Sequence, residues 1–262
     1  MRLIQSKENP QYKQLVRISQ GKKAEGQLFV WLEGIHLSQA WLDAGYEVVL
    51  AAFDAERLTQ QHELQQLAQR LDERVCMSLT PSLMRALSSV EQGQGIGLVV
   101  QAPPTIATQA ITQSCVYLDR IQDPGNVGTL LRTMAAAGIN RAFLSPGCAW
   151  AWSQKVLRSA QGAHFAIQIH EQIERAQFIQ LAQIPIYATA LEHAEPLYRL
   201  DLAQPIAWVF GNEGQGVHTE LLEQAQQRVF IPQVEQVESL NVAAAAAVCL
   251  FEQRRQLHWV RV

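Results

Sequence analysis

Two series of short strand-like and helical stretches alternate along this 262-residue chain, separated by a proline-bearing segment that belongs to neither. In the first hundred residues, strand patterns at 28–32, 47–53, 74–77 and 96–101 are interleaved with helical patterns at 10–19, 35–43, 60–71 and 81–88. Alternation of elements this short indicates a small α/β domain over residues 1–101. Residues 102–112 (Ala-Pro-Pro-Thr-Ile-Ala-Thr-Gln-Ala-Ile-Thr) read as a linker, because two prolines hold the chain extended and the rest is mostly small or polar. From Ser114 the alternation restarts, with strands near 115–118, 141–144, 165–169, 185–189, 206–210 and 228–231 and helices over 126–138, 153–161, 173–182 and 239–257. Some of these strands are continuous apolar runs, such as Ile206-Ala-Trp-Val-Phe210, as expected of a parallel sheet covered on both faces. The fold class is α/β throughout, with a second domain over 113–262 larger than the first.

Composition narrows the class. Hydrophobic residues make up 48% and charged residues 17%, which fits a soluble globular protein. No apolar run approaches the roughly 20 residues of a membrane span, and the first residues lack the apolar core of a signal peptide. Cys76, Cys115, Cys148 and Cys249 are scattered without zinc-ligand spacing, so they read as reduced packing thiols of a cytoplasmic protein. The net charge of −3 excludes a polycation, yet Arg2, Lys7, Lys13, Arg17, Lys22 and Lys23 face only Glu8 in the first 23 residues, with Tyr12 among them. Two readings stand: a basic arm that contacts nucleic-acid phosphates, or a solvated helix face.

Three segments of the second domain carry candidate chemistry. The first is Asp119-Arg-Ile-Gln-Asp-Pro-Gly-Asn-Val-Gly-Thr-Leu-Leu-Arg132, where a strand-like run breaks at Pro124-Gly125 and a helix opens. Asn126 is the expected N-cap, Gly128 is expected to keep the opening bare, and Arg132 follows one turn beyond Gly128. A guanidinium at the carboxyl end of a strand points to a phosphate or other anion; the alternative is an ordinary junction with a solvated arginine. The second segment, Trp208-Val-Phe-Gly-Asn-Glu-Gly-Gln-Gly216, runs a buried strand into a glycine-rich loop. It matches neither the dinucleotide fingerprint nor the P-loop, which removes the support for an NAD oxidoreductase. A carboxylate in the loop repels phosphate, so Glu213 is expected to orient Arg132 or a donor group, unless the loop is only a tight turn. The third segment runs from Ile231-Pro232 to Ser239-Leu240-Asn241, then into a helix with five consecutive alanines, Ala243–Ala247. Ser239 and Asn241 read either as simple caps or as part of a site.

In order and spacing, these three segments resemble the motifs of the SpoU/TrmH family of RNA ribose methyltransferases, in the knotted SPOUT superfamily. The correspondence is Asn-x-Gly-x-x-x-Arg (Asn126, Gly128, Arg132), Phe-Gly-x-Glu-Gly-x-Gly (Phe210–Gly216), and Ile-Pro followed by Ser-Leu-Asn-Val and an alanine-rich helix (Ile231–Ala247). More weakly, Ser6, Asn9 and Pro10 match the family's Ser-x-x-Asn-Pro opening, and Phe29–Gly34 matches a Phe-x-x-Glu-Gly segment with one extra residue.

The resemblance implies a trefoil-knotted parallel-sheet methyltransferase domain behind a smaller N-terminal α/β RNA-binding domain. It implies S-adenosylmethionine as cofactor, held by Gly211, Ile231 and Leu240, with Thr189 a further candidate. Arg132 would grip a phosphate and orient a ribose 2′-hydroxyl, since a guanidinium with a pKa above about 12 is a poor base. Asn126, Glu213, Ser239 and Asn241 would position Arg132 and the ribose. Lys7, Lys13, Arg17, Lys22, Lys23, Lys155 and Arg158 would bind RNA, and Trp150 or Trp152 would stack a base unless both merely pack. The implied partners are RNA, ribosomal before transfer RNA, and a second copy of the chain; no metal is implied and no membrane is expected. A non-catalytic RNA-binding relative is the alternative that intact Arg132, Asn126 and Asn241 oppose. Departures from the family pattern are Trp150-Ala151 for Asp-Pro, Gln154 for Pro, Glu235 for Gly and Ala243 for Ser. They bear on loop shape and substrate fit.

Overall fold

The structure, a computed structural model, describes residues 1–22, 28–88, 93–103, 109–234, 236 and 239–259. It has two compact units: Met1–Pro104 with Trp152–Gln154, and Thr105–Ala151 with Lys155–Val262. Lys23, the last of the N-terminal bases, lies outside the described residues, as does Glu235. No helix among the described residues is long and apolar enough to cross a membrane.

The first unit runs β1 (Arg2–Ile4), α1 (Pro10–Ser19), β2 (Val30–Glu33), α2 (Ile35–Asp43), β3 (Leu50–Asp54), α3 (Ala55–Gln60), α4 (His62–Gln69), β4 (Cys76–Leu79), α5 (Pro81–Leu87) and β5 (Ile96–Val100). Its sheet has the order β1-β4-β3-β5-β2 and is mixed, with β5 antiparallel to both neighbours. The sequence pattern misses β1, which at three residues is too short to show a period. It also misses α3, placing a helix only at 60–71. Buried Asp54 starts α3 early by accepting from the amides of Glu56 and Arg57 at 3.0 Å each, and Gln61 is extended between the helices.

Asn9 caps α1, accepting from the Gln11 amide at 2.9 Å, with Pro10 at the first helical position, where no backbone donor is needed. Tyr12, Leu15 and Ile18 then form the buried stripe of the helix. Tyr12 packs in the core and donates its hydroxyl to the Leu83 carbonyl at 3.1 Å, so it is no part of a nucleic-acid-binding arm. Lys7, Lys13, Arg17 and Lys22 remain exposed. Trp152, grouped with this unit, is buried edge-on to Trp41 at 6.2 Å, which removes it as a base-stacking platform.

The second unit runs β6 (Cys115–Asp119), α6 (Pro124–Ala137), β7 (Arg141–Leu144), α7 (Gln154–Ala160), β8 (Gln168–His170), α8 (Arg175–Leu181), β9 (Ile186–Thr189), β10 (Glu195–Pro196), β11 (Ala207–Gly211), α9 (Thr219–Gln224), β12 (Gln227–Phe230) and α10 (Val242–Trp259). Its seven strands are all parallel, in the order β10-β12-β9-β11-β6-β7-β8. From β6 the chain builds outward through β7 and β8, then returns to build β9 and β11 on the other side. The order therefore reverses between β6 and β11, the place where open parallel sheets bind ligands.

Helix α6 corrects two expectations. Its N-cap is Asp123, whose carboxylate accepts from the Asn126 amide at 2.8 Å. Pro124 takes the first helical position, so Asn126 sits within the first turn with its side chain left for other partners. Gly128 serves packing: a Cβ there would lie 2.5 Å from the Ser159 Cβ and 2.6 Å from the Val156 carbonyl of α7. At the other end Gly138 closes α6 in the left-handed conformation, φ 82°. Helix α10 packs against α6, and Arg254 donates to the Ala137 carbonyl at 3.1 Å, a cation at a helix carboxyl end. Buried Gln253 on α10 accepts from Trp208 Nε1 at 2.8 Å and donates to the Gln204 carbonyl at 2.8 Å, fastening α10 to β11 and the segment before it.

The Ala151 peptide is held from both sides. Its amide donates to Glu171 at 2.9 Å, and its carbonyl lies 2.7 Å from His164 Nε2, which must carry the proton because a carbonyl only accepts. Burial lowers the His164 pKa from 6.5 to about 4 and raises that of Glu171.

Two outcomes follow for stability. Gly128→Ala drives a methyl group into the backbone of α7 and is expected to cost about 1–3 kcal/mol in denaturant unfolding. Below pH 6.5 the unfolded chain binds a proton at His164 that the folded chain refuses until about pH 4, so this residue lowers stability as pH falls from 6.5 to about 4. Glu171 acts with the opposite sign, so the His164 contribution is read as the difference in thermal midpoint slope between wild type and His164→Gln. Parallel slopes would refute it.

Candidate active site at the carboxyl ends of β6 and β11

Strands β6 and β11 lie side by side with Gly211 opposite Asp119, so the segments leaving them are neighbours from their first residue. Gly211 is required here by close backbone approach. A Cβ would lie 2.2 Å from both the Gly216 carbonyl carbon and the Val217 nitrogen, atoms of its own returning loop. Asn212 shapes that loop: its side-chain oxygen accepts from the amides of Gly214 and Gln215 at 2.9 and 3.0 Å, and Gly216 adopts φ 69°.

The loop carries Glu213 to Asn126. Asn126 donates its side-chain NH2 to Glu213 at 2.8 Å and accepts on its oxygen from the Asn241 NH2 at 3.0 Å. Asn241 in turn caps α10, its oxygen accepting from the amides of Ala243 and Ala244 at 2.9 and 3.3 Å. The direction of this chain is dictated at both ends. A carboxylate only accepts and a helix amino end only donates, so each amide between them has one workable orientation. Three segments distant in sequence thus meet through one polarised line of hydrogen bonds.

Beneath it lies a charged layer that the sequence reading did not single out. Asp119 is fully buried and pairs with Arg120 at 3.2 Å and Arg175 at 3.6 Å, while accepting from the His218 amide at 2.9 Å. Burial opposes the charge on Arg175, but its bond to Glu220 and the nearby Asp119 outweigh that and raise its pKa. An acid ending an apolar strand, directly before a base, was the available signal for this pair.

Arg132 is exposed on α6 and makes no hydrogen bond or ion pair among the described residues. Thr189 ends β9 and donates to the Val209 carbonyl at 3.3 Å; Ile231 follows β12 and is half-buried. Leu240, Leu191 and Val234 are exposed apolar side chains in the segments that follow the neighbouring strands β9 and β12. Ser239 is exposed before α10, and Lys155 and Arg158 are exposed on α7. The structure therefore brings Asn126, Glu213 and Asn241 into direct contact and records no bond from Arg132 or Ser239 to them. No group of three or more His, Cys, Asp or Glu side chains placed to hold a metal occurs among the described residues.

A parallel sheet with a polar site at its strand reversal defines a ligand-binding α/β domain, and comparison with known proteins gives its family. Residues 113–251 match the SpoU rRNA methylase family, and the chain belongs to it. It is 34% identical to an uncharacterised tRNA/rRNA methyltransferase of Synechocystis over 97% of this chain and 93% of the relative. It is 35% identical to the 23S rRNA guanosine 2′-O-methyltransferase RlmP of Bacillus subtilis, over 68% of this chain and 72% of that one. An AdoMet-bound rRNA methyltransferase from Sinorhizobium meliloti superposes with a TM-score of 0.85 at 27% identity, covering 98% of both chains.

The hydrogen-bonded line yields a test. Asn126→Asp sets two carboxylates against each other and is expected to destabilise the second unit by about 1 kcal/mol at neutral pH. The loss should shrink in acid, near pH ~4, where carboxylates take up protons. A thermal midpoint that differs from wild type by the same amount at both pH values would show that Asn126 and Glu213 do not interact.

Proposed function

We propose that this chain transfers a methyl group from S-adenosylmethionine to a ribose 2′-hydroxyl of ribosomal RNA, in the cytoplasm and as a homodimer. The observation that carries the reading is the Asn241–Asn126–Glu213 line, which joins all three family motifs at the strand reversal. Membership of the SpoU family supports the reaction, and the relatives named for rRNA support ribosomal over transfer RNA. Residues 1–101 would form the RNA-binding domain and 113–262 the methyltransferase domain, with the C-terminal segment threaded as a trefoil knot. Phe251 and Leu257 leave apolar surface exposed on α10, which favours a second copy as partner.

S-adenosylmethionine supplies an electrophilic methyl carbon on a sulfonium. Backbone groups at Gly211 and Ile231, with apolar contact from Leu240 and a contribution from Thr189, would hold it. Arg132, free of protein partners among the described residues, takes the phosphate next to the target ribose and so orients the 2′-oxygen. The oxygen–carbon bond forms as the carbon–sulfur bond breaks, and the hydroxyl proton passes to the neighbouring phosphate or to water. Asn126, Glu213, Ser239 and Asn241 would align the ribose against Arg132, where alignment is the main source of rate. Lys7, Lys13, Arg17, Lys22, Lys23, Lys155 and Arg158 extend the grip to RNA phosphates.

The test is to map 2′-O-methylation in cellular RNA with and without this gene, alongside Arg132→Ala. One or more ribosomal sites should disappear, and the variant should lose about 100-fold or more in rate while still binding S-adenosylmethionine in calorimetry. Unchanged methylation in the deletion, or full activity in the variant, would refute the proposal.

A further inference from the structure

Arg120 holds a backbone conformation that glycine adopts freely and other residues rarely do, with φ 55°. It stands where β6 ends and the chain turns toward α6. A side chain kept at such a position needs a reason, because removing it to glycine would relieve the backbone.

The contacts of Arg120 supply that reason. Its Nε and Nη2 reach the two oxygens of buried Asp119, each at 3.2 Å. The same guanidinium crosses to the loop after β11, donating from Nη1 to the Gln215 side chain at 2.7 Å and from Nη2 to the Gly216 carbonyl at 3.5 Å. Its own carbonyl accepts from Asn212 Nδ2 at 2.8 Å, and Asp119 accepts from the His218 amide at 2.9 Å. Two consecutive residues therefore grip the loop at 212, 215, 216 and 218. Glu213, between these points, is the residue that meets Asn126.

Asp119 gives the guanidinium a fixed seat. Its carboxylate is fully buried while the Arg120 side chain is about one quarter exposed (24%), so one face of the arginine is locked and the other reaches the loop. Arg175 also pairs with Asp119, and among the described residues it bonds Glu220 on α9 and nothing in the Gly211–Gly216 turn. The same carboxylate thus has one partner that touches the Gly211–Gly216 turn and one that does not, which separates loop positioning from simple charge neutralisation.

We propose that Arg120, seated on Asp119, is a positioning residue that presets the Asn212–Gly216 turn for S-adenosylmethionine, an inference that rests on the methyltransferase reading. The left-handed backbone at Arg120 aims the guanidinium across the β6–β11 boundary.

The experiment measures S-adenosylmethionine binding by calorimetry and thermal midpoints for wild type, Arg120→Ala, Arg120→Gly and Arg175→Ala in the full chain. Arg120→Ala and Arg120→Gly should both bind about tenfold more weakly, the loss expected for one charge-assisted contact. The glycine variant should melt above the alanine variant, because it removes the backbone strain and restores no contact. Arg175→Ala should lower the midpoint and leave affinity within about twofold. Affinity that tracks the midpoint across the series, or wild-type affinity in Arg120→Ala, would overturn the positioning role. Failure of wild type itself to bind S-adenosylmethionine would instead overturn the proposed function.

Discussion

The pairing of β6 with β11, Gly211 against Asp119, is the constraint on which the site depends. It is parallel, so both strands deliver their following segments to the same edge of the sheet, and it lies where the strand order reverses, so no crossover helix covers the gap. A tight turn after β11 is possible only because position 211 lacks a Cβ, which lets Gly216 and Val217 close against it. Everything polar above that pair is arranged by direction of donation: the Glu213 carboxylate at one end, the amino end of α10 at the other, and two amides between them.

Buried charge supports this arrangement from below. Asp119 would be costly to bury alone, but two guanidinia and a backbone amide surround it. Removing either arginine leaves a carboxylate without part of its compensation, so the layer resists rearrangement more strongly than a set of surface ion pairs would. That rigidity is transmitted to the loop through Arg120 and the His218 amide, both of which connect the first and second motifs directly.

Much of this was legible in the sequence because it depended on local chemistry. The α/β alternation, the bounds of α1 and α2, and the parallel-sheet character of the second series follow from periodicity and from apolar runs such as Ile206–Phe210. What was not legible depended on tertiary partners. Asn126 has the chemistry of a cap, but Asp123 and Pro124 provide an equally good local start three residues earlier, and only the distant Glu213 and Asn241 settle which is used. Gly128 reads as keeping the opening of the helix bare, whereas its missing Cβ permits the close approach of α7. Tyr12 could be read as part of a nucleic-acid-binding arm and Trp152 as a stacking aromatic, since sequence spacing does not say which side of a helix or loop faces a core. Asp119 and Arg120 open the first segment, but their pairing and the grip on the loop after β11 are tertiary, and the left-handed backbone at Arg120 has no sequence signature.

The bond between Asn126 and Asn241 spans 115 residues of chain. A ribosome would deliver the first motif long before the third, and contacts of that separation form late because a large loop must close first. The first motif of a nascent chain, with β6 and α6 already made, still lacks the amide that orients Asn126. The Asn241–Asn126–Glu213 line is therefore completed only once α10 docks on α6. A fragment ended before Asn241 could keep most of its sheet and still have no formed site.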